Sequence, residues 1–193
     1  MELTPGPNMA YLSLVSAREG RMAGLLTVLG ITLGLAVYML ASAAGLAEVA
    51  AAQPWAYHAL RWAGVAYLVW LAFDTWRDGG QPAPEVDTGR PAAGRLVLRG
   101  LVTNLLNPKA AVFYVSVLPS FTRPELGDVA LQSLTLGTIH LAASVAVHGA
   151  IVATAGLAHP LVVHGTGSRR LRGGFVAGLL AVAAWMVWTT RAG

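Results

Sequence analysis

Residues 100–122 read GLVTNLLNPKAAVFYVSVLPSFT, an apolar run whose only charged residue is Lys109. A helix needs about 20 mostly apolar residues to cross the hydrocarbon core of a bilayer. The run is long enough and therefore predicts a membrane-spanning helix. It also contains Pro108, and proline removes a backbone donor and interrupts the helix in which it sits. The stretch thus predicts a broken transmembrane helix with a lysine at the break.

Five further apolar segments predict further spans. Residues 22–47 and 129–168 contain no Asp, Glu, Lys or Arg, and we expect Pro160 to end the helix in the second of these segments. Residues 9–17 are too short to cross a bilayer alone, so we interpret them as half of a span. The other two segments are residues 56–76 and 173–190. These segments predict a single transmembrane domain of six helices over residues 1–193.

The composition agrees with a membrane protein. Charged residues make up 11% of the chain and the mean hydropathy is +0.60, whereas soluble domains average about 25% charged residues. The chain has no cysteine, which excludes a disulfide framework and cysteine-ligated metal. The basic residues lie between apolar runs without interleaved aromatics, so the net charge of +4 does not indicate nucleic acid. We predict an all-α integral membrane protein.

The distribution of arginine predicts the orientation. A loop rich in glycine and proline, residues 77–95, separates a first half, residues 1–76, from a second half, residues 96–193. Basic residues are enriched in the short cytoplasmic loops of membrane proteins. The first, third and fifth loops together hold Arg18, Arg21, Arg77, Arg90, Arg95, Arg99, Arg169, Arg170 and Arg172. We therefore expect these loops in the cytoplasm and both chain ends outside, in a multi-pass protein of a bacterial inner membrane.

A second proline motif, Thr4-Pro5-Gly6-Pro7-Asn8, opens the short first span. Asn8 lies ten residues from Arg18, and Lys109 lies ten residues from Arg99. At helical rise both motifs are about 15 Å from the cytoplasmic boundary, half of the ~30 Å core. One break in each three-helix half points to a substrate site where the halves meet. Three spans per half also give the halves opposite orientations, which predicts two inverted repeats.

Lys109 is the residue that most strongly suggests a function, because a lysine deep in the bilayer is costly and usually functional. It could neutralise a substrate carboxylate, pair with a carbonyl exposed by Pro108, or change protonation during transport; the alternative is a structural lysine at the break. The asparagines suit a zwitterionic ligand, or they satisfy backbone groups left open by the prolines. The predicted substrate pathway comprises Pro5, Gly6, Pro7, Asn8, Asn104, Asn107, Pro108 and Lys109.

Other residues receive structural interpretations. Gly24, Gly30 and Gly34 are spaced for close helix packing. Arg61 lies five residues inside its span, and we expect its side chain to extend to the outer interface. His140 and His148 differ by about 80° around one helix. No intramembrane Asp or Glu accompanies them, so we predict no metal site and retain one histidine as a hypothetical proton carrier.

At these residues the chain resembles the LysE/RhtB family of lysine, homoserine and threonine exporters. The resemblance covers nearly the whole chain to about residue 121 and includes both proline motifs and the glycines of the second span. It also includes Arg61, Gly64, Tyr67, Leu68, Gly100, Phe113, Pro119 and Phe121. It implies proton-driven efflux of amino acids or related metabolites from the cytoplasm, with the motif residues lining the pathway. Gly64 and Tyr67 are interpreted as packing residues.

The chain departs from the family pattern at four places. The family usually has lysine where Arg61 stands, glutamine where Ser120 stands and glycine where Ala72 stands, which leaves the substrate open. Family members also carry a further half-helix before the first motif. We therefore expect a first helix truncated in its N-terminal half, with Met1 within about 10 Å of the midplane. A start-site error is our hypothesis for this truncation.

Other functions predict features that are weak in this sequence. An exporter of a metal or other inorganic ion should show intramembrane Asp, Glu or clustered His. An intramembrane hydrolase should pair a serine in a Gly-x-Ser-x-Gly-like turn with a histidine on another helix, and neither Ser116 nor Ser144 has that setting. A scaffold without transport is a further alternative. We predict no enzyme and no cofactor, with an amino acid and the lipid bilayer as partners; homo-oligomer formation is left open.

Overall fold

A computed structural model describes residues 6–45, 53–77, 90–160 and 168–189. Every regular element in these ranges is helical. Pro5, most of the loop 77–95 and both chain ends lie outside the described residues. The α-helices are α1 (Pro7–Ala43), α2 (Pro54–Arg77), α3 (Arg90–Leu105), α4 (Pro108–Val112), α5 (Val129–Ala155) and α6 (Ser168–Thr189). The chain continues from α4 through a π-helix, Phe113–Val117, and a 3-10 turn, Pro119–Phe121.

Two helical stretches in the described ranges are long and apolar enough to cross a membrane, Pro7–Ala43 and Val129–Ala158. A third span results if the pair Ala93–Leu105 and Pro108–Phe121, which is bent by 56°, is counted as one. The bend falls at the break that Pro108 predicts. The all-helical, membrane-compatible fold is thus confirmed, whereas the six-helix inverted repeat stays a prediction.

Helix α1 passes this test of length and composition, but it is bent back on itself and consists of two antiparallel arms rather than one straight span. Gly20 has φ 86° and ψ 175°, in the left-handed region that favours glycine. A Cβ atom on Gly24 would overlap the Oγ atom of Ser16, whereas eight residues of straight helix would separate the two by about 12 Å. The chain therefore reverses at Gly20. We call residues 7–19 the first arm and residues 21–43 the second arm; the reversal coincides with the short loop predicted between Arg18 and Arg21.

The second arm is the centre of the packing, with α3 on one side and α5 on another, while α2 packs mainly against α6. Its contact with α3 is reciprocal and made by glycine. A Cβ atom on Gly30 would overlap the carbonyl oxygen of Val97, and a Cβ atom on Gly100 would overlap the carbonyl oxygen of Thr27. The two backbones approach this closely because neither glycine has a side chain.

The elements that flank the arginine-rich loops meet at one end of the molecule. Ala23, Ala72 and Leu96 share one apolar cluster, which joins the start of the second arm to the end of α2 and the start of α3. Arg21 Nη2 donates to the carbonyl oxygen of Ala153 at 3.2 Å, which brings the end of α5 to the same place. The helix ends beside the first, third and fifth loops therefore lie together.

The expectation for Arg61 was wrong. Its side chain is 6% exposed, and its Nη2 atom donates to the carbonyl oxygen of Val187 in α6 at 2.9 Å. Arginine can satisfy a backbone carbonyl while burying its aliphatic stem against a neighbouring helix. Arg61 thus links α2 to α6 instead of extending to the interface.

Candidate functional site

The break between α3 and α4 is stabilised by hydrogen bonds to its backbone groups. Asn107 Oδ1 accepts a hydrogen bond from the Lys109 backbone N–H at 3.1 Å, so Asn107 is the N-cap of α4. The Asn107 N–H donates to the carbonyl oxygen of Asn104 at 3.0 Å. The Tyr38 hydroxyl, on the second arm, donates to the carbonyl oxygen of Leu105 at 2.7 Å. Backbone groups at a break in apolar surroundings need such partners, and Asn107 supplies one of them.

The first proline motif lies against the lysine of the second. Gly6 is buried, and a Cβ atom built on it would be 3.3 Å from Cδ and 3.5 Å from Nζ of Lys109. Any larger residue at position 6 would therefore displace the lysine side chain. Pro7 follows as the first residue of the first arm. The start of the first arm and the start of α4 thus face each other across the Lys109 side chain.

Asn8 and Asn104 join the two motifs directly. Asn8 Nδ2 donates to Asn104 Oδ1 at 2.7 Å, between residues 96 positions apart. Asn8 is 7% exposed and Asn104 is fully buried. Asn104 also packs against Gly34, where a Cβ atom would be 2.6 Å from Asn104 Nδ2. The remaining amide atoms, Asn8 Oδ1 and Asn104 Nδ2, are buried without a hydrogen-bond partner in the described part of the chain.

One cavity collects half of the predicted pathway residues, namely Gly6, Asn8, Asn107 and Lys109. It is enclosed by the first arm, the second arm, the break and α5. Its lining residues are Gly6, Asn8, Met9, Leu35, Asn107, Lys109, Ala110, His140, Ser144 and His148. Asn104 lies behind the wall, held by Asn8, and Pro108 is buried at the start of α4. Pro5 lies outside the described residues.

Helix α5 contributes a polar stripe to this cavity. Ser144 Oγ and His148 Nδ1 lie 3.1 Å apart, and both residues are buried. One turn earlier His140 Nδ1 lies 3.1 Å from the Tyr114 hydroxyl, and its ring stacks on Phe113 with centroids 4.0 Å apart. His140 and His148 point in directions about 80° apart around the helix. Both nevertheless line the cavity, because its wall is concave and follows the helix surface over that angle. Ser144 pairs with a histidine on its own helix.

A second, smaller cavity is lined by Gly64 and Tyr67, the two residues of α2 that were interpreted as packing residues. It lies between the first arm, α2 and α3. It is lined by Pro7, Gly64, Tyr67, Leu68, Thr103 and Leu106. Gly24 and Gly30 lie at the helix contacts described above, and Gly34 backs Asn104.

Sequence reasoning missed several cavity residues. Met9, Leu35 and Ala110 are apolar residues in apolar segments, and nothing in the sequence distinguishes them from lipid-facing neighbours. Ser144 had a weak signal, because it lies midway between His140 and His148 at four-residue steps in an otherwise apolar span. That spacing places side chains on nearby faces of a helix.

Lys109 is the charged residue of the cavity lining. The other polar members are uncharged amides, a hydroxyl and the two imidazoles, and no Asp or Glu is among them. No group of three metal-ligating side chains occurs in the residues that the structure describes. A cationic amine beside neutral amides in a buried site attracts an anionic group and can orient a polar one.

The chain matches the sequence model of the LysE type translocator family over residues 1–164. It is 31% identical over 137 residues to a homoserine/homoserine lactone efflux protein of Salmonella typhimurium, covering 71% of this chain and 66% of that relative. It is 31% identical over 134 residues to a threonine efflux protein of Escherichia coli, covering 66% of this chain and 64% of the relative. The chain thus spans slightly less than two thirds of these relatives. No solved structure matches.

Proposed function

Because the chain belongs to the LysE family of translocators, we propose that it exports amino acids or closely related small metabolites from the cytoplasm. Similar proteins are named for efflux of homoserine, homoserine lactone and threonine. Small amino acids of this kind are therefore the first substrates to test.

The observation that carries this proposal is the junction of the two proline motifs. Two helix breaks from distant parts of the chain meet at one buried cavity, and the Asn8–Asn104 hydrogen bond joins them at 2.7 Å. Transporters bind substrates where such discontinuous helices meet, because the breaks present polar groups within an otherwise apolar protein. The geometry supports a small polar substrate at this junction.

In this proposal Lys109 receives the substrate carboxylate. Its side chain lies along Gly6 and borders the cavity. A lysine that is half-buried between apolar helices is stabilised by an anionic group, and a carboxylate is the anionic group that all α-amino acids share. Lys109 would thus bind the carboxylate that all the substrates share. The side chain of the substrate would then contact the apolar residues Met9, Leu35 and Ala110.

We also propose the membrane arrangement in which this site works. The chain forms six spans in two inverted three-helix halves in the bacterial inner membrane, and the arginine-rich loops are cytoplasmic. The meeting of helix ends beside three of those loops at one end of the molecule supports this arrangement. Exit is driven by the proton gradient, and the cavity histidines His140 and His148 support that part, because an imidazole has one nitrogen that can donate a proton and one that can accept it.

An efflux assay tests the proposed function. Cells that express the protein are loaded with dipeptides, and the amino acids that appear in the medium are followed over time. We expect threonine, homoserine or another small amino acid to leave several times faster than from cells with the empty vector. Equal rates for every amino acid, with the protein present in the membrane, would contradict amino-acid export.

A further inference from the structure

Asn8 lines the cavity, and its buried side-chain oxygen is a hydrogen-bond acceptor that no group in the described part of the chain uses. Asn8 is 7% exposed and belongs to the cavity lining. Its Nδ2 atom donates to Asn104, while its Oδ1 atom has no hydrogen-bond partner among the described residues. Buried polar atoms are nearly always paired, so an unpaired acceptor at a cavity wall calls for an explanation.

The orientation of this acceptor is held by a second residue. Asn104 is fully buried, and its Oδ1 atom receives the Asn8 Nδ2 hydrogen. The amide nitrogen of Asn104 faces Gly34, where an added Cβ atom would be 2.6 Å from it. With the two amides in this orientation, the Asn8 oxygen is left for another partner. Asn104 is therefore a positioning residue for Asn8.

The chemistry of the lining indicates what that partner is. An amide oxygen accepts hydrogen bonds and bears partial negative charge, so it suits an ammonium group. Among the residues that the structure describes, the cavity lining contains no Asp or Glu to bind a cation. Lys109, at the same cavity, suits the opposite end of a zwitterion. Asn8 and Lys109 together therefore match the two charged groups of an α-amino acid.

We propose that Asn8 Oδ1 accepts a hydrogen bond from the α-ammonium group of the transported amino acid, so that the site selects zwitterions over other carboxylates. This inference rests on the proposed function and adds to it the residue that recognises the amine. Lys109 alone would admit any small carboxylate. Asn8 rejects an analogue that has no ammonium group, because the acceptor would then stay buried and unpaired.

The test compares two ligands that differ at the ammonium group. Binding of L-homoserine and of its deamino analogue, 4-hydroxybutanoate, in which a hydrogen atom replaces the ammonium group, is measured on the purified protein. We expect the wild-type protein to prefer L-homoserine and Asn8→Ala to reduce that preference by about tenfold to a hundredfold, as for a hydrogen bond to a charged group. Ser16→Ala is the matched control, since it alters another buried polar residue of the first arm that does not line the cavity, and should keep the preference.

A second variant covers the case in which Asn8→Ala fails to fold. Asn8→Asp retains an acceptor to which Asn104 can donate after rotating its amide, and its negative charge should raise the preference for L-homoserine. An unchanged preference in Asn8→Ala, or a reduced one in Asn8→Asp, would overturn the assignment of Asn8. If the wild-type protein neither exports amino acids nor binds them in a Lys109-dependent way, the proposed function itself fails.

Discussion

At the scale of single residues, Lys109 has two possible roles, a structural one at the break and a functional one in binding a carboxylate. Its side chain lies along Gly6, which offers no side chain of its own, and beside the uncharged amides of the cavity. A lysine that only filled space at the break could be replaced by an apolar residue of similar length. A lysine that binds a carboxylate could not, because the charge itself is used.

Lys109→Met separates these two roles, since methionine keeps the length and apolar fit of the chain and deletes the charge. We expect the variant to insert and accumulate normally while efflux falls at least tenfold. Efflux from loaded cells is measured together with the amount of protein in the membrane. Normal efflux at normal expression would show that the lysine is structural.

Asn107→Ala is the natural comparison for that experiment. It removes the N-cap of α4, which typically costs about 0.5–2 kcal/mol of stability, but it changes no charge. We expect efflux to fall less than in Lys109→Met, because backbone groups at the break remain.

At the scale of helices, the contact between the second arm and α3 holds one side of the break in place. Gly30 and Gly100 allow two backbones to touch at Val97 and Thr27. Asn104 follows on the same helix and packs against Gly34 of the same arm. The approach of these helices therefore sets where Asn104, and with it Asn8, can lie.

Gly30→Ala should destabilise the protein, because the added methyl group overlaps the carbonyl oxygen of Val97 and forces the helices apart. Overpacking of this kind costs about 1–3 kcal/mol. The variant should therefore show a lower unfolding temperature in detergent. Gly149→Ala provides the control, since nothing lies within 4 Å of a Cβ atom at that position of α5; an equal loss in both variants would rule out the packing argument.

At the scale of the whole molecule, three sets of helix ends converge beside the arginine-rich loops. The Arg99–Asp74 ion pair, with its atoms 2.6 Å apart, joins α3 to the end of α2 on either side of the loop 77–95. His159 Nδ1 lies 3.3 Å from the carbonyl oxygen of Ala17, next to the reversal at Gly20. A single basic end of this kind is typical of the cytoplasmic side of a membrane protein.

A reporter fused within residues 77–95 should therefore behave as cytoplasmic. An enzyme that is active only in the periplasm should give no signal there, and the same reporter within residues 123–128 should give a strong one. Fluorescence and enzymatic reporters measured in parallel check both positions. A periplasmic signal from residues 77–95 would reverse the direction of transport proposed here.

Sequence alone determined the features that depend on local chemistry. Apolar runs predict helices in a bilayer because a helix satisfies every backbone polar group within its own segment, where no water is present to do so. The break at Pro108 follows from the missing backbone donor of one residue, and the boundary at Arg18 and Arg21 coincides with the reversal at Gly20. The choice of both proline motifs as site residues also followed from such local features.

Only the tertiary structure decided which faces of these helices meet. Helix α5 has polar residues spread around a mostly apolar surface, so no amphipathic pattern shows which side faces inward, and Ser144 and Leu35 were not predicted as cavity residues. The partner of Arg61 on α6 and the Asn8–Asn104 hydrogen bond lie 126 and 96 positions apart in the chain. Such contacts depend on how each helix is rotated and how closely it packs, and both are set by side chains of other helices.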